Sequence, residues 1–415
     1  MASDRGLRAS IRVTVGPCSY RDPMRLMHTS DWHLGRTFHG QSLLADQEAV
    51  LCALADLAVT HGVDVVLISG DLYDRAVPSP EAVQCATRVL GRIRSAGISI
   101  VAISGNHDSA PRLGAFADFL AAGGLHLRTA AARAGEPVLL ADAHGPVALY
   151  PVPYLEPDLV RGTWELPAPA SHQQVLTRAL MLARADLAGQ PPGTRSVVLA
   201  HAFVVGAIAG GSERSIAVGG VESVSADVFD GFDYVALGHL HGAQAVTERV
   251  RYCGSPLPYA FSEAGQRKSV LLVDLDGAGA VSTRQIDLPV IRPLVMLRGT
   301  LDEILATATD RVDTRCGGTD LTTAYLSVEL TDPVRPLEPM RRLRERFPFT
   351  LVTQWVPETG AGSSRAGCRA PVGHLQDGQL LIDFVRDVRG TEAGPGERVL
   401  LEQAVVADRL VERVR

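Results

Sequence analysis

Apolar positions along this chain fall into short β-branched runs that stop at polar loops, with amphipathic stretches between them. Leu26-Met27-His28-Thr29 leads into Ser30-Asp31, and the run from Val63 to Ile68 leads into Ser69-Gly70-Asp71. The run from Ile98 to Ile103 ends at Ser104-Gly105-Asn106, that from Ser196 to Leu199 at Ala200-His201, and that from Tyr234 to Leu237 at Gly238-His239. Such runs predict strands buried on both faces. Helical periodicity marks Leu43 to Thr60, Pro80 to Ser95 and His172 to Leu187. This alternation predicts an α/β fold with a largely parallel sheet and with its loops gathered at the carboxyl ends of the strands.

Further along, Val270 to Leu275 and Val281 to Leu288 predict two strands around the turn Asp276-Gly277-Ala278-Gly279. Pro289 and Pro293 punctuate the chain. A small α/β unit follows: strand Val295-Met296-Leu297, helix Leu301 to Thr309, strand Ala324 to Leu330, helix Pro336 to Arg346 and strand Phe349 to Val356. Glu358 to Val372 is rich in Gly, Ser, Ala and Pro without periodicity and reads as a flexible linker. Leu380, Leu381, Phe384, Val385 and Val388 then fall at helical spacing. After Gly394-Pro395-Gly396 so do Leu400, Leu401, Val405, Leu410 and Val414. Two such helices either pack on the core or await a partner. The expected plan is a disordered extension over 1–23 with the native start at Met24, a catalytic domain over 24–289, the small unit over 290–357, a linker over 358–376 and a helical segment over 377–415.

Composition narrows the function. The net charge is −6, so this is not a globally basic nucleic-acid binder, although a local basic patch is compatible with it. The helix after Pro336 carries Arg341, Arg342, Arg344 and Arg346, either a solvated face or a phosphate-backbone contact. The 40 basic residues include one lysine, Lys268, and no Gly-Lys-Ser or Gly-Lys-Thr occurs. A phosphate-binding Walker loop is therefore excluded, and any ATPase acting with this chain is a separate protein. Six widely spaced cysteines form no Cys-x-x-Cys pair, which fits a reducing cytoplasm. No apolar stretch is long enough to suggest a membrane span or a signal peptide.

The strand-end loops hold the chemistry: Asp31-x-His33, Gly70-Asp71-x-x-Asp74, Gly105-Asn106-His107-Asp108, Ala200-His201 and Gly238-His239-x-His241. Carboxylates, imidazoles and one amide oxygen suit Mn²⁺, Fe²⁺ or Zn²⁺. One Asp can touch two cations, because a carboxylate has about four lone pairs. Two cations can activate water and clamp a phosphoryl group for in-line displacement. Each motif alone is weak; their order and shared context carry the reading. The other seven histidines, among them His28, His126 and His374, are assigned no role.

The ordered set resembles the calcineurin-like metallophosphoesterases. The fuller stretches Met27 to Gly35, Ser69 to Arg75, Ile103 to Asp108 and Gly254 to Glu263 resemble the SbcD family, the nuclease subunits of bacterial SbcCD complexes. The resemblance implies a metallophosphoesterase β-sandwich flanked by helices, a small α/β capping domain that helps to bind DNA, and a C-terminal helix pair. It implies one metal held by Asp31, His33, Asp71 and His241, and a second held by Asp71, Asn106, His201 and His239, with Mn²⁺ expected. It makes His107 the non-ligand catalytic histidine. Asp74 is expected to orient His107 through a carboxylate–imidazole hydrogen bond, and Asp108 to cap the segment after it. The implied activity is a DNA exonuclease and endonuclease that works on ends and hairpins in repair and recombination. Its implied partner is an SMC-like ATPase subunit whose coiled-coil base binds the C-terminal helices, in a heterotetramer built on a homodimer of this chain. The alternatives are a phosphoesterase for a small substrate such as a cyclic nucleotide, which needs neither basic cap nor helix pair, and a non-catalytic scaffold with a structural metal.

Overall fold

A computed structural model describes residues 23–213, 223–307, 320–357, 377–389 and 391–412. The expected extension, apart from its last residue, and the expected linker with His374 lie outside the described residues. The chain divides into two compact units, the first ending at Val295 and the second beginning at Met296.

Two six-stranded sheets face each other in the first unit. In one sheet, Met24–Thr29, Val65–Ser69, Ser99–Ile103 and Leu125–Arg128 run parallel in that spatial order. The hairpin of Ser269–Leu275 and Val281–Asp287 extends its free edge antiparallel to Met24–Thr29. In the other, Val250–Tyr252, Tyr234–Gly238, Arg195–His201 and Gly145–Pro151 run parallel, with Gln244–Ala245 and Val138–Asp142 antiparallel at the two edges. Leu26, Leu67, Val101 and Val273 from the first sheet meet Leu149, Val197, Leu199 and Ala236 from the second in one fully buried layer. The structure is therefore the helix-flanked sandwich that the resemblance implies, with mixed sheets rather than one largely parallel sheet. The antiparallel strands at the sheet edges make the sheets mixed. Patterning also missed two parallel strands, Leu-His-Leu-Arg at 125–128 and Gly-Pro-Val-Ala-Leu-Tyr-Pro at 145–151, whose polar, Gly or Pro residues hide a strand signal.

Helices cover the outer faces. Pro80–Ser95 starts where Ser79 accepts from the Ala82 amide with Pro at the first turn, and buries Cys85, Val89 and Ile93. His172–Ala188 opens on a capping box between Ser171 and Gln174 and packs Val175, Ala179 and Leu180 beneath the second sheet. These faces fix the strands, and the strand ends then hold the loops.

The second unit has a three-stranded sheet, Leu294–Gly299, Tyr325–Leu330 and Thr350–Trp355, with helices Leu301–Ala306 and Pro339–Arg346. Leu343 and Phe347 are buried under the latter helix. Asp377–Arg389 and Pro395–Glu412 form the expected helix pair. Arg389 meets Glu397 at 2.8 Å, and Glu397 also accepts from the Gly394 amide at 2.8 Å, which fixes the turn between them. No described helix is long and apolar enough to cross a membrane.

Candidate metal centre

The loops after five strands meet at one end of the sandwich, and main-chain bonds lace the first two together. The Asp31 amide donates to the Gly70 carbonyl at 3.1 Å, His33 to Asp71 at 2.9 Å and Leu34 to Leu72 at 3.0 Å. Asp31, His33, Asp71 and His239 have positive φ (55°, 44°, 51° and 104°), a region that L side chains seldom occupy. Neighbouring glycines make room. A Cβ on Gly105 would run into the Asp71 carboxylate, and one on Gly70 into the His201 ring.

The expected ligand residues of both sheets come together. Asp31, His33 and His241 form one buried group, and Asp31, Asp71 and His201 another. Asp71 Oδ2 lies 3.6 Å from His33 Nε2 and 3.5 Å from His201 Nε2, one histidine from each group. His33 Nε2 and His241 Nε2 face each other at 3.1 Å. His201 donates from Nδ1 to the Ser69 carbonyl at 2.9 Å, so its Nε2 lone pair faces the Asn106 amide oxygen at 2.8 Å. The His239 ring stands 5.4 Å from that of His201. His33 Nδ1 is buried without a hydrogen-bond partner.

Electrostatics show what this arrangement fits. Burial pushes His33 and His201 well below the ordinary imidazole range and His239 down to about 4. Burial also lifts Asp31 to about 6 and, with the charge of Asp31 added, raises Asp71 well above the carboxylate range. Lone pairs thus converge on lone pairs in a dry pocket that holds its own charges poorly. Divalent cations supply the missing partner and reverse those shifts, so the donor set fits them.

Two expectations are corrected. His107 is held at Nδ1 by the main-chain carbonyl of Asp74 at 2.8 Å, not by its carboxylate. That carboxylate faces Arg36 at 3.4 Å and His33 Nδ1 at 3.8 Å. The His107 ring stacks edge-on against His33 at 4.6 Å, and its amide donates to Asp71 Oδ1 at 2.9 Å. Asp108 does not cap the short helix after it. Its half-buried carboxylate accepts from the Leu72, Tyr73 and Gly105 amides at 3.1, 3.0 and 2.9 Å, tying two site loops together.

Reading residue types missed a buried polar layer behind His241. Ser212 reaches it from one loop, and Tyr259, Glu263 and Lys268 from the segment between strands Val250–Tyr252 and Ser269–Leu275. Burial opposes the Glu263 charge, but the His241 imidazole and the Lys268 ammonium hold its carboxyl down at about 2. A charged residue inside the largely apolar stretch from Pro256 to Ala264 was the available signal.

In the second unit the four candidate arginines differ. Arg341 bonds Glu338 and Glu345 at 2.8 and 2.6 Å, and Arg342 bonds Asp302 at 3.0 Å, all on the surface. Arg344 donates to the Thr350 carbonyl and Arg346 to the Thr307 carbonyl, both at 3.0 Å. The last two are thus engaged in holding the unit together.

Comparison with known proteins agrees with the geometry. The family model for calcineurin-like phosphoesterases matches residues 24–243, and one described as a type 5 capsule protein repressor C-terminal domain matches 290–367. The SbcD subunit of nuclease SbcCD from Escherichia coli K12 is 34% identical over 292 residues, which is 68% of this chain and 73% of that protein. The chain belongs to the calcineurin-like phosphoesterases, in the SbcD family. As a member of that family it is a metal-dependent phosphodiesterase and a nuclease subunit. Among solved structures, protein TT1561 of Thermus thermophilus is 14% identical at a TM-score of 0.38, covering 63% of this chain and 99% of that one. A dimetal phosphatase from Danio rerio is 13% identical at 0.36, covering 64% and 99%.

Proposed function

We propose that this nuclease subunit cleaves DNA phosphodiester bonds with two Mn²⁺ ions. Asp31, His33, Asp71 and His241 hold one, and Asp71, Asn106, His201 and His239 the other. The supporting observation is the place of Asp71 Oδ2 within 3.6 Å of His33 Nε2 and 3.5 Å of His201 Nε2, one histidine from each of the two buried groups. When bound, the cations supply Lewis acidity toward water and the phosphate oxygens. The Ser69 carbonyl fixes the His201 tautomer, and Asp108 holds the loops of Asp71 and Asn106 at a set distance. His107, anchored at Nδ1 by the Asp74 carbonyl, carries in its imidazolium form a proton on Nε2 and donates it to the departing oxygen. Arg341 and Arg342 contact the phosphate backbone of the duplex. The C-terminal helices dock on an SbcC-type ATPase, which is supported by the exposure of Phe384, Val388, Val399 and Leu400 on them. The assembly then acts on DNA ends and hairpins in repair, as a heterotetramer built on a dimer of this chain.

The test is Mn²⁺-dependent hydrolysis of bis-p-nitrophenyl phosphate beside labelled duplex and hairpin DNA, with and without the SbcC-type ATPase. The expected result is cleavage of all three, with DNA cleavage enhanced by the ATPase. Hydrolysis of the aryl ester with DNA left intact under every condition overturns the DNA assignment in favour of a small phosphodiester substrate.

A further inference from the structure

The two sides of the candidate centre are anchored differently. On the His201 side a main-chain carbonyl fixes the imidazole. On the His241 side only side chains do so. His241 Nδ1 lies 2.5 Å from Ser212 Oγ, and Ser212 donates in turn to Glu263 Oε1. Without the serine, the gap from His241 Nδ1 to Glu263 Oε1 is 3.6 Å, too long for a good hydrogen bond. Glu263 is fully buried, and its other oxygen accepts from the Tyr259 amide at 3.2 Å and from Lys268 Nζ at 2.6 Å. Lys268 also donates to the His241 carbonyl at 2.9 Å and to Ser255 Oγ at 3.1 Å. The one lysine of the chain is therefore placed where a compact ammonium with tetrahedral donors fits and the planar fork of arginine does not.

We propose that Ser212 and Glu263, braced by Lys268, are positioning residues that hold His241 with its proton on Nδ1, and so set the affinity of one of the two cation positions without affecting the other. This rests on the two-cation reading above. Ligating histidines are commonly oriented through their second nitrogen, and loss of such a partner costs about 10- to 100-fold in metal affinity. Here the partner is a hydroxyl relayed to a carboxylate, so the hydroxyl is the part that substitution can remove and restore.

The experiment measures stoichiometry and affinity for Mn²⁺ by equilibrium dialysis with elemental analysis. It compares the full-length protein with Ser212→Ala, Ser212→Thr and Glu263→Gln, alongside the melting temperature of each metal-free form. The expected result is two Mn²⁺ per wild-type chain, with one binding step weakened about 10- to 100-fold in Ser212→Ala and Glu263→Gln and the other unchanged. Ser212→Thr restores the weakened step, and the metal-free melting temperature of Ser212→Ala matches wild type. Two wild-type binding steps in Ser212→Ala overturn the proposal, as does equal weakening of both. Fewer than two Mn²⁺ per wild-type chain overturns the two-cation reading itself, and the proposal with it.

Discussion

Asp31, His33, Asp71 and His239 each occupy a left-handed or neighbouring backbone conformation, at about 1–3 kcal/mol apiece. Four such residues in one site persist only because the loops around them are over-determined, by Asp108 on one side and by the paired main chains of the first two loops on the other. This holds side chains at fixed angles before any cation or substrate arrives. His107 sits in the same frame but is tied at one ring nitrogen to the Asp74 carbonyl. His107→Ala is therefore expected to retain both metals by elemental analysis while turnover falls by about 10² to 10⁴; a variant that loses a metal would make His107 a ligand. Residue types at strand ends were enough to locate this candidate site, because Asp, His and Asn in strand-end loops have few other uses in that pattern. The contact made by Asp74 was not legible, since it acts through a carbonyl that every residue owns. Ser212 was equally hidden, because folding alone brings it to His241, and Glu263 showed only as a lone charge in a largely apolar stretch.

At the scale of elements, apolar runs of five or six residues announced the central strands, and helical periodicity announced the helices Pro80–Ser95 and His172–Ala188. Strands 125–128 and 145–151 were lost, since the Gly, Pro and polar residues in them blur the pattern. The helix Pro339–Arg346 shows how charge read along a sequence overstates what a surface offers. Arg344 faces the Thr350 carbonyl, so reversing it would damage the unit itself. Arg341 is exposed and Arg342 partly so, and both are paired at the surface, where an ion pair contributes about 0–1 kcal/mol and yields readily to a phosphate. Arg341→Glu with Arg342→Glu is expected to weaken duplex binding and to flatten the salt dependence by about 0.9 per lost contact, while aryl phosphodiester hydrolysis survives; an unchanged slope in a binding titration would reduce them to solvated charge. The helix pair Asp377–Arg389 and Pro395–Glu412 leaves Phe384 and Leu400 more than half exposed. Truncation at Gly373, ahead of both helices, should shift the melting temperature of the remaining chain by less than about 2 °C. It should also abolish co-purification with an SbcC-type ATPase. A large drop in thermal stability would instead make the helices part of this chain's own core.

Across the whole molecule, the candidate centre draws Asp31, His33, Asp71 and Asn106 from loops of one sheet and His201, His239 and His241 from the other. Cations bound there would cross-brace the sandwich, and their contribution should depend on pH in a definite direction. Burial raises Asp31 to about 6 and Asp71 well above its ordinary value. In the metal-free fold these carboxyls take up protons that the unfolded chain does not, so their contribution to stability is present at low pH and lost as pH rises through about 6. A cation must displace those protons. His239, lowered to about 4 by burial, competes only in more acid solution. The rise in melting temperature on adding Mn²⁺ should thus be full near neutrality and shrink as pH falls below about 6, well before the histidines charge; a loss first seen near pH 4 would place control on the imidazoles instead. The burial of Lys268, with 8% of its side chain accessible, has a consequence of another kind. The outer surface of the described molecule therefore offers almost no ammonium group. Amine-directed dyes and cross-linkers will leave that surface largely untouched, and labelling of Lys268 will clock how often the wall behind His241 opens.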